Sequence, residues 1–238
     1  MHVVCLHGFP DLPGTFELLR PVLEAAGHTV SCPRLPGYGG EAFDGSMASA
    51  VDWLDREVPG EVALVGHDWG AILAWSAAVR SRRVRRLVLM AVPPLAGLGR
   101  VWGGVPRQLW LSRYIVAFQR PGSVPDVAAL WARWSPGFDG ASWRDAAAAH
   151  LAEPSAREGA LAWYRALVRG PRLGASWALM TGTPSVRAHG LTGADDGCID
   201  TRVFDRAPLT VTRFEGCGHW LHLERPVVVG RAVLAALS

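Results

Sequence analysis

Lysine and asparagine are both absent from the 238 residues, so every one of the 24 basic side chains is an arginine. With abundant alanine and glycine, this reads as the codon bias of a GC-rich genome, not as selection for an anionic partner. The net charge is only +3. The one basic run, Arg80 to Arg86, lacks aromatic interleaving or a nucleic-acid motif. It reads as a solvated helix end, where cations complement the helix dipole, and no nucleic-acid partner is expected. No apolar run approaches the roughly 20 residues that span a bilayer, so no membrane partner is expected. Met1 to Cys5 shows neither a basic region nor a cleavage site, and the expected location is the cytoplasm. The four cysteines, Cys5, Cys32, Cys198 and Cys217, have no C-x-x-C spacing. They read as free thiols, with neither disulfide nor zinc expected. There is no internal repeat. What remains is the composition of a globular enzyme, with 50% apolar and 19% charged residues. The length suits one sizeable core with an inserted subdomain.

Short β-rich runs alternate with helical patterns along most of the chain. Strands are expected at His2–Leu6, Thr29–Cys32, Val62–Val65, Leu87–Ala91, Val186–Thr192 and Leu209–Phe214. Helices are expected at Phe16–Ala26, Ser46–Glu57, Ala71–Arg80 and Pro226–Leu237. The alternation predicts an α/β fold, a mostly parallel, doubly wound sheet with helices on both faces. It fails between about Pro94 and Thr183, a helical stretch holding Trp102, Trp110, Trp131, Trp134, Trp143, Trp163 and Trp177, seven of the chain's eleven tryptophans. Residues 1–93 and 184–238 therefore read as the core domain and 94–183 as a helical cap over the carboxyl ends of the strands, where open α/β sheets bind ligands. Most of those tryptophans are expected in the cap's own core, and a few along an apolar pocket.

The most informative motif is Gly66-His67-Asp68-Trp69-Gly70, between an apolar run and a helical one. Strand, sharp turn and helix make a nucleophile elbow, but aspartate stands where serine is usual. The plainer reading, a loop aspartate capping the next helix, has equal weight on the motif alone. As a nucleophile, a carboxylate is already ionised at pH 7 and can displace a leaving group from saturated carbon, forming an enzyme ester. Epoxides and alkyl halides are the substrates such chemistry suits.

Hydrolysing that ester needs a general base and a group to orient it. His219, in the glycine-rich loop Gly216 to Trp220, is the candidate base, ahead of nearby His222. Asp196, in Gly193-Ala194-Asp195-Asp196-Gly197, is the candidate acid, with Asp195 left open. The chain order Asp68, Asp196, His219 is that of α/β-hydrolases. The loop His7-Gly8-Phe9-Pro10 follows the first strand, and the N–H groups of Phe9 and Trp69 are the candidate oxyanion hole. His7 is expected to pack beneath that loop.

These motifs together resemble the α/β-hydrolase superfamily, and within it the epoxide hydrolases. His7 to Pro10 looks like the family's oxyanion loop, Gly66 to Gly70 its aspartate elbow, and Gly193 to Asp196 with Gly218-His219 its acid and base loops. The resemblance implies two cap tyrosines that meet the epoxide oxygen as the ring opens. Tyr114, before Phe118 to Gly122, and Tyr164, in Ala162-Trp163-Tyr164-Arg165, match their positions. Tyr38 looks like the family's ordinary G-Y-G loop. The cap would follow the family's sixth strand, and the family's N-terminal hairpin is missing here, leaving an edge that a partner could cover. The implied activity opens a small apolar epoxide with water to a vicinal diol, with no metal or organic cofactor, in a monomer or homodimer. A haloalkane dehalogenase shares the elbow. Many of those enzymes carry asparagine where this chain has Phe9, and fluoroacetate dehalogenases carry arginine in place of Trp69. A third reading is a non-catalytic protein that binds a small apolar ligand on an inherited fold.

Overall fold

The computed structural model describes residues 1–95 and 105–238. Among them, β1 (His2–Leu6), β2 (Thr29–Ser31), β3 (Val62–His67), β4 (Val84–Met90), β5 (Ala188–Gly193) and β6 (Thr210–Phe214) form one sheet. Its order is β2-β1-β3-β4-β5-β6, and every neighbouring pair is parallel. The observed strands match the expected ones to within three residues at each end. β4 starts early, at Val84, and stops one residue short of Ala91, whose φ of 65° leaves the strand region.

Alternation along each strand builds two cores. Val3, Cys5, Ala63, Val65, Val88 and Met90 cluster with α1 (Arg20–Ala25) and α11 (Pro226–Leu237), the last helix in the chain. Val4, Leu6, Val62, Leu64, Leu87 and Leu89 point the other way, to α2 (Met47–Glu57), α3 (Trp69–Arg80) and the helices beyond β4. Each fully buried aliphatic side chain contributes about 1.5–3 kcal/mol from burial alone. The helix expected over Phe16–Ala26 is divided into a 3-10 turn at Pro13–Phe16 and α1. Pro21 explains the break, because it donates no N–H to a preceding turn.

Between β4 and β5 the described residues form helices only: α4 (Pro106–Leu111), α5 (Tyr114–Phe118), α6 (Val127–Trp134), α7 (Ala141–Ala152), α8 (Pro154–Arg165) and α9 (Leu173–Thr181). Trp131, Trp134 and Trp163 are buried there, Trp143 and Trp177 are partly buried, and Trp110 is exposed. Trp102 lies outside the described residues. Polar contacts tie these helices to the loops and helices around the sheet. The Trp163 indole donates to the Pro36 carbonyl at 3.1 Å, and the Trp75 indole of α3 donates to Gly182 at 3.1 Å. The basic run after α3 is ion-paired along the molecule's edge, with Arg80 and Arg83 on Asp55 and Arg85 on Glu61.

Candidate active site

β3 delivers Asp68 to the start of α3 through a strained turn. Asp68 has φ 52° and ψ −118°, a conformation costly for a residue with a side chain. Its neighbours permit it only as glycines. A Cβ on Gly66 would lie 2.2 Å from the Gly70 carbonyl oxygen, and one on Gly70 would lie 1.9 Å from that of Leu6. The turn therefore presses the elbow against β1 and projects the carboxylate clear of the sheet.

Three loops meet that carboxylate. The Phe9 N–H donates to Asp68 Oδ1 at 2.8 Å. Trp69 is the first residue of α3, so its N–H is one of the helix-start donors without an intrahelical acceptor. His219 Nε2 stands 3.7 Å from Asp68 Oδ2, and His219 Nδ1 is 2.9 Å from Asp196 Oδ2. Asp196 Oδ1 accepts from the N–H groups of Cys198 at 2.6 Å and Ile199 at 3.0 Å. Asp196 is buried and Asp195 is exposed, so the alternative acid points to solvent. His222, the alternative base, lies on the far side of His67, its ring 4.6 Å from that ring.

Charge follows geometry. Burial opposes a charged His219, but the Asp196 and Asp68 carboxylates outweigh it and raise the imidazole pKa to about 10. Burial likewise opposes a charged Asp68, and the adjacent His219, with the Phe9 N–H, overcomes it, holding the carboxyl below its ordinary value. The resting pair is imidazolium and carboxylate. His7 is the opposite case. Burial lowers it to about 4, its Nδ1 faces the Gly8 carbonyl at 3.0 Å, and its Nε2 accepts from the Leu35 N–H at 3.1 Å. It supports the loop His7 to Pro10 from below, as expected.

These two histidines set opposite slopes of stability with pH. The native His7 ring stays neutral where the unfolded ring, with a pKa near 6.5, takes a proton. Stability is therefore lost as pH falls from about 6.5 towards 4, by about 3 kcal/mol from His7 at pH 4. The raised pKa of His219 contributes stability that is fully present below about 6.5 and is lost as pH rises through about 10. Denaturant melts across pH should give a maximum between these limbs. Replacing His7 by Gln should make the acid limb shallower and leave the alkaline limb unchanged, the rest of the acid limb coming from buried His222, whose pKa burial also lowers.

The helical layer closes the site. Tyr114 opens α5 and Tyr164 lies in α8, their rings 5.9 Å apart and edge to face. Gln119 Nε2 donates to the Tyr164 carbonyl at 2.9 Å, and Arg165 Nε donates to the Phe118 carbonyl at 3.2 Å, which locks the two helices together. With Asp68 and Trp69, both tyrosines line a cavity of about 160 Å³ that is otherwise mostly apolar: Ile72, Val92, Leu95, Ile115, Leu167, Trp177 and Ile199. Of the described tryptophans between β4 and β5, Trp177 is the one on this wall. The Tyr164 hydroxyl and His219 Nε2 are buried without a hydrogen-bond partner. The Tyr114 hydroxyl lies 3.5 Å from Cys198 Sγ. Burial pushes both phenols well above their ordinary pKa, so both are protonated donors.

One functional atom has no sequence signature. The Trp134 carbonyl, at the end of α6, accepts from both the Gly197 N–H at 3.1 Å and the His219 N–H at 3.0 Å. It joins the acid loop to the base loop.

A parallel sheet, an aspartate elbow and a buried acid–base pair in this chain order define a class, and the sequence profile agrees. The Alpha/beta hydrolase family matches residues 3–232, and the chain belongs to that family. Among curated relatives, it is 29% identical to "Epoxide hydrolase A" of Mycobacterium tuberculosis, covering 99% of this chain and 90% of that one. Among solved structures, Epoxide Hydrolase A from Mycobacterium thermoresistibile superposes with a TM-score of 0.76 at 25% identity, covering 99% of this chain and 90% of that one. A haloalkane dehalogenase variant from Bradyrhizobium elkanii shares the fold, with a TM-score of 0.74 at 19% identity, covering 98% and 88%.

Proposed function

We propose that this chain is an epoxide hydrolase that works through an ester on Asp68. The observation that carries this reading is the unpartnered Tyr164 hydroxyl, facing Asp68 with Tyr114 across an apolar cavity. A phenol donor opposite a carboxylate nucleophile suits a leaving group that departs as alkoxide and stays attached to the substrate. The epoxide hydrolase relatives support the same activity.

Residues 94–183 act as the cap. Asp68 Oδ2 attacks an epoxide carbon, the carbon–oxygen bond opens, and the tyrosines supply the hydrogen bonds and the proton that the alkoxide needs. Oδ1 stays on the Phe9 N–H and becomes the ester carbonyl oxygen. Ester formation removes the Asp68 charge and with it part of what holds the proton on His219, and that proton goes to restore the phenol that protonated the alkoxide. The neutral imidazole then takes a proton from water as the water's oxygen adds to the ester carbonyl carbon. Negative charge builds on Oδ1 against the N–H groups of Phe9 and Trp69. On collapse the imidazolium proton goes to the departing glycol oxygen, and the remaining proton of the water passes from the Asp68 carboxyl to His219, restoring the carboxylate and imidazolium.

Intact mass of a His219→Gln variant tests the reading with separate panels of epoxides and haloalkanes. The expected adduct equals a whole epoxide and maps to the peptide holding Asp68. An alkyl adduct lacking its halogen, with none from epoxides, would mark a dehalogenase. No adduct from either panel would leave a binding protein.

A further inference from the structure

One residue before the nucleophile, three buried side chains from three separate segments converge. They are Asp11 from the loop after β1, His67 from the end of β3, and His222 from α10 (Leu221–Glu224). One ligating atom from each can be chosen so that all lie within 4.8 Å of one another. Their hydrogen bonds fix what each atom offers. His67 Nε2 is 3.0 Å from the His219 carbonyl, which can only accept, so Nε2 carries a proton and Nδ1 is the ring atom turned towards Asp11. That Nδ1 is 3.1 Å from Asp11 Oδ2, without the geometry of a hydrogen bond. The Thr15 hydroxyl lies 3.4 Å from Asp11 Oδ2 and 2.7 Å from His222 Nε2, bridging the two. His222 Nδ1, like His67 Nδ1, is buried without a hydrogen-bond partner. Two imidazoles and a carboxylate thus meet in a buried cluster where one ring nitrogen of each histidine has no hydrogen-bond partner, an arrangement that a cation would relieve.

We infer that Asp11, His67 and His222 bind a divalent transition-metal ion of the Zn²⁺ or Co²⁺ type, apart from the reacting atoms. Two imidazoles and a carboxylate suit such ions. The outer contacts are those of a metal site. The Trp220 indole donates to Asp11 Oδ1 at 2.8 Å, and the second ring nitrogens of the two histidines are held by the His219 carbonyl and the Thr15 hydroxyl. A surface groove of about 430 Å³, lined by Asp11, Pro13, Thr15, Glu17, Arg34 and Trp143 among others, reaches the site from outside. It is separate from the cavity over Asp68. The ion would tie the oxyanion loop, the elbow and the base-bearing segment together, and the inference does not rest on the reaction at Asp68.

Chain stripped by dialysis against a chelator is titrated with Co²⁺ and Zn²⁺. The expected result is one Co²⁺ per chain, with visible d–d absorption and no thiolate charge-transfer band. Tm should rise by about 5 °C or more when Zn²⁺ reaches ~100 times its Kd. His222→Gln and Asp11→Asn should each weaken binding by at least about 100-fold. If neither variant folds, histidine ¹⁵N spectra of the wild type decide, since Zn²⁺ should shift Nδ1 of His67 and His222 and leave His219 in place. Failure of the wild type to take up stoichiometric metal overturns the inference, as does a doubly protonated His67 that ignores Zn²⁺. So does binding that survives His222→Gln but is lost in Cys198→Ser, which would put the ion on Asp196, Cys198 and His219, the second buried group of suitable spacing among the described residues.

Discussion

Replacing Asp196 by Asn should slow breakdown of the enzyme ester by about 10³–10⁴-fold, while ester formation stays within roughly tenfold of wild type. The asymmetry follows from what each carboxylate oxygen holds. Oδ1 accepts two backbone N–H groups, from Cys198 and Ile199, so an amide oxygen would take that place. The amide nitrogen would then face His219 Nδ1 as a donor. His219 would have to accept at Nδ1 and carry its proton at Nε2, the nitrogen 3.7 Å from Asp68. In that tautomer it cannot take a proton from water. The Asp196 charge, chief among the causes that raise His219 to about 10, is also lost, so the ring should titrate lower in the variant. Quenched-flow mass spectrometry, following the ester as it builds and decays, measures both steps. Equal slowing of the two would refute the assignment. In the wild type the same experiment across pH should show ester decay rising with pH to a plateau. Its midpoint should lie below 10, because the esterified Asp68 no longer supports the imidazolium.

The double replacement Tyr114→Phe and Tyr164→Phe should act on the other half-reaction, lowering the rate of ester formation by about 10³-fold or more and leaving ester decay nearly unchanged. Loss of one preorganised donor at a developing oxyanion costs on the order of 10²–10³. The two hydroxyls are not equivalent here. Tyr164 has no partner and is free to meet the substrate oxygen, whereas Tyr114 is shared with Cys198 Sγ. Tyr164→Phe should therefore be the more damaging single change. Single-turnover kinetics with one epoxide separate the steps. A double variant that forms ester at the wild-type rate would remove the tyrosines from the mechanism and favour a leaving group that needs no proton.

Motifs whose chemistry depends on a side chain in a glycine-framed turn are legible in the sequence itself. Asp68, Asp196, His219 and Phe9 converge because each sits at the carboxyl end of a strand or just beyond it, and alternation locates those strands. Even β5 is legible, since its most polar residue, Arg187, lies outside the strand and is exposed. The choice between Asp195 and Asp196 is not, because it depends on which of two adjacent residues turns inward, and that is set by backbone bonds to Cys198 and Ile199. The tyrosines are reached only through resemblance, since nothing periodic in the cap marks them. The Trp134 carbonyl is invisible in the sequence, because every residue but the last has such a group and only three-dimensional placement gives one a role. Asp11 and His67 stand in plain view, within or beside recognised motifs. Their convergence with His222 joins segments 56 and 155 residues apart, counted as 67 − 11 and 222 − 67.

The double acceptance by the Trp134 carbonyl limits how this architecture can be altered. A cap is commonly treated as an exchangeable part, open to trimming or grafting when a wider substrate range is wanted. In this chain the end of α6 is joined to the frame that aims the base, through Gly197 on one side and His219 on the other. Shortening or swapping the cap at that junction would unsettle the proton acceptor along with the pocket wall. Redesign of substrate range is better confined to α4, α5, α8 and α9, with residues 131–135 kept as part of the catalytic core.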